Sequence, residues 1–386
     1  MDYRSIDFIL NQEQLISEEN TYKKLIPKGK KIALFGAGQN YWAFKFFVVD
    51  KFEINISLII DDKYENIDFF DSIKVTSSFS NYIKELYKDD YIVIITLGNT
   101  SQHKNIKEKL IKIGFKNILN AYDFYEYHLA YASSSVVYGG INYYQRRKKE
   151  INNAFNLLQD DLSKEIYCQI LDVYVTRRIK PINSRSFDEQ YIPCDISLTK
   201  GHTSMINCGS FDGDTIKRLL KQGVKFQTIV CIEPNIKNFM ALSNWIKKEK
   251  AKNPNFAKNV ILLPVCIGNK TEYLNIYDAG SNSNINKKTG TTIKALCVAL
   301  DQIVELEEIT FINMDIEGAE IQALDGCKNL IKKYEPDLAI SVYHEPSQLW
   351  EVLLKIKKYS DNYQFFLRNY TGRVAETVLY ATMKKI

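Results

Sequence analysis

Short apolar runs alternate with amphipathic helical stretches along most of this sequence, which is the pattern of a doubly wound, mainly parallel sheet. The alternation occurs in two separate series. The first predicts strands at KIALFG, ISLIIDD, YIVIITLGN and KNILNA, and the second predicts strands at SMINC, TIVCIE, VILLPVCI, TFINMD and DLAISVYH. We therefore predict an α/β protein that contains two sheets of this kind.

The segment between the two series has apolar residues at three- and four-residue spacing, as in NAFNLLQDDLSKEIYCQILDVYVTRR, and predicts amphipathic helices. This organisation divides the chain into a smaller Rossmann-like domain at residues 1–125, a helical connector at 126–184 and a second α/β domain at 185–386. At the C-terminal end, only TGRVA separates the apolar runs YQFFLRNY and ETVLYATM. Because this interval is too short for a crossover helix, we expect an antiparallel hairpin at the sheet edge.

Composition restricts the classes of partner that the chain can have. With 45% hydrophobic and 25% charged residues, the 386-residue chain is typical of soluble globular proteins. The net charge of +5 comes from dispersed lysines without a basic block, so we expect no nucleic-acid partner. The sequence has no signal pattern and no membrane-spanning run, and its seven cysteines form no CxxC pair. We expect a cytoplasmic protein without a membrane partner.

The turn NCGSFDGDT follows the first strand of the second series and opens a helix. Gly209 and Gly213 allow the backbone to turn tightly and to approach a ligand closely. Asp212 and Asp214 argue against a phosphate here and favour a ligand with an ammonium group, such as S-adenosylmethionine. Glu233, at the end of the next strand, has the position of a carboxylate that accepts hydrogen bonds from a ribose diol. The terminal hairpin is more typical of class I methyltransferases than of dehydrogenases.

Five motifs together resemble the FkbM family of S-adenosylmethionine-dependent methyltransferases, and they cover roughly residues 185–386. The most specific is DIEGAE within FINMDIEGAEIQAL. One departure is Asn207, which stands where the family usually has an aspartate, and which can accept a hydrogen bond without contributing charge. The other four motifs are NCGSFDGDT, IEPN followed by Asn238, DLAISVYHEPSQLWEVL and LRNYTGRVAETVLYA.

The resemblance implies a class I methyltransferase fold for the second domain and S-adenosylmethionine as its cofactor. The cofactor is expected to lie across the carboxyl ends of the first, second and fourth strands of that domain. The predicted cofactor-binding residues are Asn207, Gly209, Asp212, Gly213, Asp214, Glu233, Asn238, Cys266, Ile267 and Asp315.

Acidic residues and a histidine follow two strands whose carboxyl ends are expected to be neighbours: Asp315 after TFINM, and His344 with Glu345 after DLAISVY. Methyl transfer to a hydroxyl requires a group that removes the acceptor's proton. We predict His344 as this base because its ordinary pKa is near neutrality, with Asp315 orienting it or acting as the base itself, and with Glu345 beside them. The alternatives are a structural histidine and, for Glu317 and Glu320, stabilisation of a helix N-terminus.

The same catalytic residues also allow a metal hypothesis. Asp315, His344 and Glu345 are hard or borderline ligands that suit Mg²⁺ or Mn²⁺. Such an ion could lower the pKa of a sugar hydroxyl. The sequence contains no explicit metal-binding motif, so this version stays an alternative to metal-free catalysis.

Several residues are predicted to bind the substrate. In the second domain, Glu317 lies in the acidic cluster, and Tyr191 either closes over the site or packs in the core. Arg368 suits a phosphate or carboxylate, although pairing with Glu376 across the hairpin is favoured. In the first domain we predict Gly36, Gly38 and Asp62.

The first domain has a Gly36-Ala37-Gly38 turn but places Tyr41 where the third glycine of GxGxxG would stand. A complete dinucleotide site is therefore not predicted. The domain could hold the nucleotide of an activated sugar, or it could only build an oligomer interface.

These observations favour a homo-oligomeric O-methyltransferase that acts on a sugar or a nucleotide-activated sugar. A GDP-linked heptose or hexose in surface polysaccharide or capsule biosynthesis would suit two nucleotide-type domains. Two other functions are alternatives. One is an NAD-dependent sugar oxidoreductase or epimerase that uses the first glycine turn, and the other is a non-catalytic scaffold that binds nucleotide sugars.

Overall fold

The computed structural model describes residues 5–12, 25–50, 52–97, 103–124, 141–176, 181–278 and 291–384. Within these ranges the chain forms two compact units. The first unit lies within residues 25–124, and the second contains residues 5–12, 141–176 and 181–384. The three-part division into residues 1–125, 126–184 and 185–386 stays a prediction, and parts of the predicted connector (126–140 and 177–180) lie outside the described residues.

Helices and strands alternate through both units, which confirms the predicted α/β class. In chain order the helices are α1 (Ile6–Leu10), α2 (Gln39–Phe44, continued by a π-helical turn at Lys45–Val49), α3 (Asn81–Glu85), α4 (His103–Lys112), α5 (Ile141–Arg146), α6 (Lys148–Leu157), α7 (Asp161–Thr176), α8 (Asp214–Lys221), α9 (Ile236–Lys252), α10 (Leu300–Ile303), α11 (Glu320–Gly326), α12 (Lys328–Tyr334) and α13 (Gln348–Tyr359). The strands are β1 (Lys31–Phe35), β2 (Ile56–Ile60), β3 (Asp68–Phe70), β4 (Ile73–Thr76), β5 (Tyr91–Ile95), β6 (Asn117–Asn120), β7 (Ser204–Cys208), β8 (Phe226–Ile232), β9 (Ala257–Leu263), β10 (Cys266–Ile267), β11 (Glu272–Asp278), β12 (Thr291–Val298), β13 (Phe311–Met314), β14 (Asp337–Ser341), β15 (Tyr363–Asn369) and β16 (Thr377–Met383).

The first unit is built on a six-stranded sheet in the order β3-β4-β2-β1-β5-β6. Its central strands β1, β2 and β5 pair in parallel and are almost entirely buried, as expected for a sheet that is covered on both faces. The antiparallel strand β3 lies at one edge. The predicted strands of this unit are therefore present, and the β3–β4 hairpin is an addition that the apolar pattern did not indicate.

The second unit is built on a seven-stranded sheet in the order β15-β16-β14-β13-β7-β8-β9. Strands β14, β13, β7, β8 and β9 are parallel, so their carboxyl ends share one edge of the sheet. Strand β16 lies between β14 and β15 and is antiparallel to both, which confirms the predicted terminal hairpin. The start of β16 therefore lies at the same edge as the end of β14.

The strand register places several polar side chains on one face of this sheet. Asn313 pairs with Asn207 on one side and with Ala339 on the other, and Ser341 pairs with Val378. Because side chains two residues apart share a face, Asp315 continues the face of Asn313 beyond the end of β13.

The predicted strand VILLPVCI is divided in the structure. Pro264 separates β9 from β10, since proline cannot continue a sheet ladder. Strand β10 joins β11 and β12 in a separate three-stranded sheet, which the sequence pattern did not predict. In the part of the chain that the structure describes, no helix is both long enough and apolar enough to cross a bilayer.

Candidate functional site

Gly209 forms a tight turn directly after β7. Its φ of 83° lies in the left-handed region, and a Cβ atom here would lie 1.9 Å from the carbonyl oxygen of Asp315. The backbone N–H of Asp315 donates to the carbonyl oxygen of Cys208 at 3.0 Å, so the ends of β7 and β13 are in direct contact. Only glycine, which has no Cβ atom, fits between these two strand ends, so sterics alone account for a glycine at position 209.

A cleft opens at the carboxyl ends of β7, β8 and β13. It contains seven of the predicted site residues, namely Gly209, Glu233, Asn238, Cys266, Ile267, Asp315 and Glu317. Its other lining residues, which sequence reasoning missed, are Phe211, Ile232, Pro234, Val265, Ile316 and Ala319. The cleft therefore combines apolar walls with a few carboxylates, the composition expected of a small-molecule site.

Four predicted cofactor residues do not line this cleft. Asn207 is fully buried within β7. Asp212 forms an ion pair with Lys217 at 3.0 Å. Gly213 is the left-handed N-cap of α8, and the exposed Asp214 is the first residue of that helix. These residues shape the turn, and whether any of them contacts a ligand stays a prediction.

Glu233 follows β8 and is held in a fixed position by backbone donors. Its Oε2 accepts from the N–H of Phe211 at 2.9 Å and its Oε1 from the N–H of Asn235 at 2.9 Å. The side chain of Asn238 lies 3.5 Å from Oε1. Burial raises the pKa of Glu233, although these hydrogen bonds oppose the shift. A carboxylate oxygen can accept further hydrogen bonds, so Glu233 can still receive a ligand's hydroxyl groups.

His344 lies between carboxylates at the neighbouring strand end, after β14. Its Nδ1 is 2.9 Å from Oε1 of Glu320, and its Nε2 is 3.4 Å from Oδ1 of Asp315. Oε2 of Glu317 is 4.0 Å from the same Nε2. The structure therefore confirms the prediction that Asp315 and His344 lie close together.

The carboxylates around His344 argue against its predicted role as the base. Burial alone would lower the pKa of this imidazole, but Glu320, Asp315 and Glu317 outweigh burial and raise the pKa to about 10. At neutral pH the side chain therefore carries a proton and a positive charge. The prediction assumed the ordinary pKa of histidine. That value does not apply here, because a carboxylate lies on each side of the ring and stabilises the protonated form.

Glu320 and Gln348 hold His344 in place, and sequence reasoning gave Gln348 no role. The fully buried Glu320 accepts at Oε1 from His344 and from the N–H groups of Ile316 (3.0 Å) and Gly318 (3.4 Å). The Gln348 amide donates to Oε2 of Glu320, and its own oxygen accepts from the N–H of His344 at 3.2 Å. The only sequence signal for Gln348 was a polar residue among the buried positions of an amphipathic helix.

Two tyrosines donate to Asp315. The hydroxyl of Tyr191 is 3.3 Å from Oδ2, and the hydroxyl of Tyr343 is 3.1 Å from Oδ1. Tyr191 is itself fixed, because its N–H donates to the hydroxyl of Tyr380 at 2.9 Å. Tyr191 was predicted to close over the site or to pack in the core. It is 3% exposed and contacts Asp315, and closure over a bound ligand stays a prediction.

The donor atoms that could surround a metal ion differ from the predicted set. Among the described residues, Asp315, Glu320 and His344 place one donor each within 4.8 Å of one another, and Glu345 is not a member of this group. Oε1 of Glu320 already accepts three hydrogen bonds and Oε2 a fourth. A carboxylate with its lone pairs used in this way is a poor metal ligand. The cluster fits a protonated histidine better than a divalent cation.

Arg368 does not have either of its predicted roles. It is 1% exposed, and its guanidinium donates to Asp160 at 2.6 Å and to Asp195 at 3.0 Å. It also donates to Ser163 at 2.9 Å. A guanidinium enclosed in this way holds β15 to the start of α7 and is not presented to a substrate. Its carboxylate partners are these two aspartates and not Glu376, which was the predicted partner.

The glycine turn of the first unit, Gly36-Ala37-Gly38, is bonded to the carboxylate that follows β2. The N–H of Ala37 donates to Oδ2 of Asp61 at 2.8 Å, so this backbone donor of the turn is already bonded to a side-chain carboxylate. Asp62 accepts from the N–H of Ser78 at 3.0 Å and pairs with Lys109. Burial alone would raise the pKa of Asp62, but these partners outweigh burial and lower the pKa. The predicted ligand contacts of Gly36, Gly38 and Asp62 stay predictions, and this hydrogen bond does not favour a phosphate.

Comparison with protein families finds that residues 207–370 match the family described as "Methyltransferase FkbM domain". No curated protein sequence matches the chain. Among solved structures, methyltransferase FkbM from Methylobacillus flagellatus KT is 20% identical with a TM-score of 0.64, and the alignment covers 94% of this chain and 93% of that chain.

Two further structures show much lower similarity. Aeropyrum pernix fibrillarin, in complex with S-adenosyl-L-methionine, is 10% identical over 48% of this chain and 70% of its own, with a TM-score of 0.29. The SAH-bound Podospora anserina methyltransferase PaMTH1 is 11% identical over 47% and 72%, with a TM-score of 0.27. At these scores neither carries weight beyond the match to the FkbM structure.

Proposed function

Since residues 207–370 match the FkbM family of methyltransferase domains, we propose that this chain transfers the methyl group of S-adenosylmethionine to a hydroxyl group of a sugar. One observation carries the proposal. The cleft that begins at Gly209 and Glu233 continues to Asp315, and there it meets the buried cluster around His344. A donor pocket and a group of acid–base side chains thus share one strand-end edge.

The residues of the cleft fit the proposed methyl donor. Its apolar lining with a few polar groups is the composition usual for small-molecule pockets. Glu233 would hold the ribose hydroxyls, Asn238, Cys266 and Ile267 would line the nucleoside, and the backbone at Gly209 would face the amino-acid part. When bound, the donor supplies an electrophilic methyl group on a positively charged sulfur, and the nearby carboxylates of Asp315 and Glu317 suit that charge.

The chain's own side chains would orient the acceptor and control its proton. Asp315 is fixed by two tyrosine hydroxyls and accepts hydrogen bonds at both oxygens. An acceptor hydroxyl that donates to Asp315 would be positioned next to the donor cleft. Positioning of this kind lowers the barrier because the reacting atoms start in near-attack geometry.

We propose catalysis without a metal ion. Removal of divalent ions with EDTA is expected to leave the rate of methyl transfer unchanged, because the lone pairs of Glu320 are already used by hydrogen-bond donors. The measurement is the initial rate with and without the chelator, each followed by added Mg²⁺ or Mn²⁺. A rate that falls with EDTA and returns with either ion would support the metal version.

Glu233→Ala is expected to weaken binding of S-adenosylmethionine about 10- to 100-fold, since it removes two acceptor positions for the ribose, each worth roughly 0.5–1.5 kcal/mol. Isothermal titration calorimetry measures the dissociation constant directly. The matched control is Glu272→Ala, a glutamate on β11 outside the cleft, which should leave the constant unchanged. An unaltered constant in Glu233→Ala would remove Glu233 from the ribose role.

The acceptor is proposed to be a sugar or a nucleotide-activated sugar, such as a GDP-linked heptose or hexose used in surface polysaccharide or capsule synthesis. Incubation with labelled donor and a panel of sugars and nucleotide sugars, read by mass spectrometry, tests this class through the gain of one methylene. Binding of NAD in place of S-adenosylmethionine would favour an oxidoreductase, and the absence of heat with either ligand would favour a scaffold.

A further inference from the structure

We propose that Glu376 is the residue that accepts the proton of the acceptor hydroxyl. This inference rests on the proposed O-methyl transfer and assigns one step of it. Glu376 immediately precedes β16, whose start lies at the same sheet edge as the end of β14. Val378, two residues later, pairs with Ser341, so Glu376 is positioned beside the strand ends that carry Asp315 and His344.

Two consecutive residues connect Glu376 to Asp315. The side-chain amide of Gln190 donates to Oε2 of Glu376 at 2.7 Å, and the hydroxyl of the next residue, Tyr191, donates to Asp315. The oxygen of the Gln190 amide accepts from Arg218, which fixes the orientation of that amide. Both carboxylates are therefore held by one short, buried segment, Gln190 and Tyr191.

The other two candidates are already engaged by charged or hydrogen-bonding partners in this structure. His344 lies between Glu320 and Asp315, which raise its pKa so that it already holds a proton at neutral pH. Burial raises the pKa of Asp315, but two tyrosine hydroxyls donate to its carboxylate and the charged imidazole lies 3.4 Å away, so its oxygens are already engaged. Among the described residues, the side-chain donor to Glu376 is the neutral amide of Gln190, so its carboxylate retains more of its affinity for a proton.

The charges that face Glu376 are consistent with this assignment. Asp315, at the end of β13, raises its proton affinity, while His344 after β14 and Arg218 on α8 oppose that effect. Burial is the largest contribution, and together with Asp315 it raises the pKa of Glu376 to about 7 in spite of Gln190, His344 and Arg218. A base is most effective when its pKa is near the working pH, because enough of it is unprotonated and it still binds the proton well.

The step balances without any further reactant. The acceptor's O–H bond breaks, and its proton goes to a carboxylate oxygen of Glu376. The acceptor oxygen forms a bond to the methyl carbon while the carbon–sulfur bond breaks and its electron pair stays on sulfur. The products are a methyl ether, the neutral demethylated donor and a protonated Glu376. Glu376 is half-buried, so it can then return the proton to solvent.

Glu376→Gln tests the assignment in the full chain. We expect kcat to fall about 10²- to 10⁴-fold, the usual contribution of a general base, while the dissociation constant of S-adenosylmethionine is unchanged. In the wild type, kcat should rise with pH through about 7, as the carboxylate forms. This pH dependence should be absent from the residual activity of the variant.

The matched control is Glu335→Gln. Glu335 is also a glutamate with positive φ, and it bonds to Ser360 at the opposite, amino end of β14. It should keep the wild-type rate and pH profile. A Glu376→Gln enzyme with wild-type kcat and the same pH profile would overturn the assignment and leave O-methyl transfer intact. If the wild type methylates no hydroxyl in the panel, the proposed function fails and the assignment fails with it.

A second variant addresses the case in which Glu376→Gln does not fold. Gln190→Ala removes the hydrogen bond that stabilises the Glu376 carboxylate, so the rise of kcat with pH should move to higher pH, with most of the rate recovered on the alkaline side. A role in folding alone would not move the pH profile. If the profile of Gln190→Ala matches the wild type, the assignment is wrong.

Discussion

Gly209→Ala is expected to abolish binding of the methyl donor and to destabilise the second unit severely. The added Cβ would lie 1.9 Å from the carbonyl oxygen and 2.9 Å from the carbonyl carbon of Asp315, and both are backbone atoms. Backbone cannot rotate away as a flexible side chain can, so the ends of β7 and β13 would have to separate. That separation would displace Asp315 and deform the cleft between Gly209 and Glu233. Calorimetry with S-adenosylmethionine and thermal unfolding measure the two effects.

The control for this variant is Gly201→Ala. Gly201 is also left-handed, with φ of 67°, but a Cβ there would have no heavy atom within 4 Å. Gly201→Ala therefore isolates the cost of a left-handed alanine, which is about 1–2 kcal/mol, without the clash. Donor binding should be normal in Gly201→Ala and absent in Gly209→Ala. Equal effects in the two variants would show that the contact with Asp315 is not what requires the glycine.

Glu320→Leu is expected to lower the free energy of unfolding by about 3–5 kcal/mol at neutral pH, the range for removing one partner of a buried charge pair. Glu320 is fully buried, and the variant would leave the His344 imidazole and the Gln348 amide without their acceptor. Methyl transfer should fall as well, because His344 would no longer be held beside Asp315. Chemical denaturation measures the loss.

The pH dependence of this loss distinguishes a charge pair from simple packing. The folded-state pKa of His344 is raised to about 10, so its contribution is complete below about pH 6.5 and is lost as pH rises through 10. The pKa of Glu320 is lowered by His344 in spite of burial, so its contribution is present above about pH 4.5 and is lost in acid. The difference between wild type and Glu320→Leu should therefore be largest at about pH 5–6.5. A loss that does not vary with pH would contradict the charge pair.

The fold was largely predictable from the sequence because its signals are local. A buried run such as FINM and a hairpin interval as short as TGRVA each restrict the structure without reference to distant residues. The three-stranded sheet of β10, β11 and β12 was missed because its strands are short or mixed in polarity. The division of VILLPVCI by Pro264 followed a signal that was present in the sequence and was not used.

The candidate site was predictable only in part. Strand ends that share an edge brought Asp315 and His344 together as expected, since that proximity follows from topology. Their protonation did not follow, because it depends on Glu320 and Gln348, which contact His344 only in the folded chain. Arg368 was misplaced for a similar reason, since its partner Asp160 is distant in sequence. Local patterns predict where a side chain emerges from a strand but not which charges surround it.

The most direct test is a crystal structure of the protein with the demethylated donor, S-adenosylhomocysteine. We predict that its ribose hydroxyls lie within hydrogen-bonding distance of Glu233 and that its sulfur points toward Asp315 along the cleft that Gly209 opens. Electron density for this ligand at any other place, or Glu233 and Asp315 without contact to it, would contradict the account.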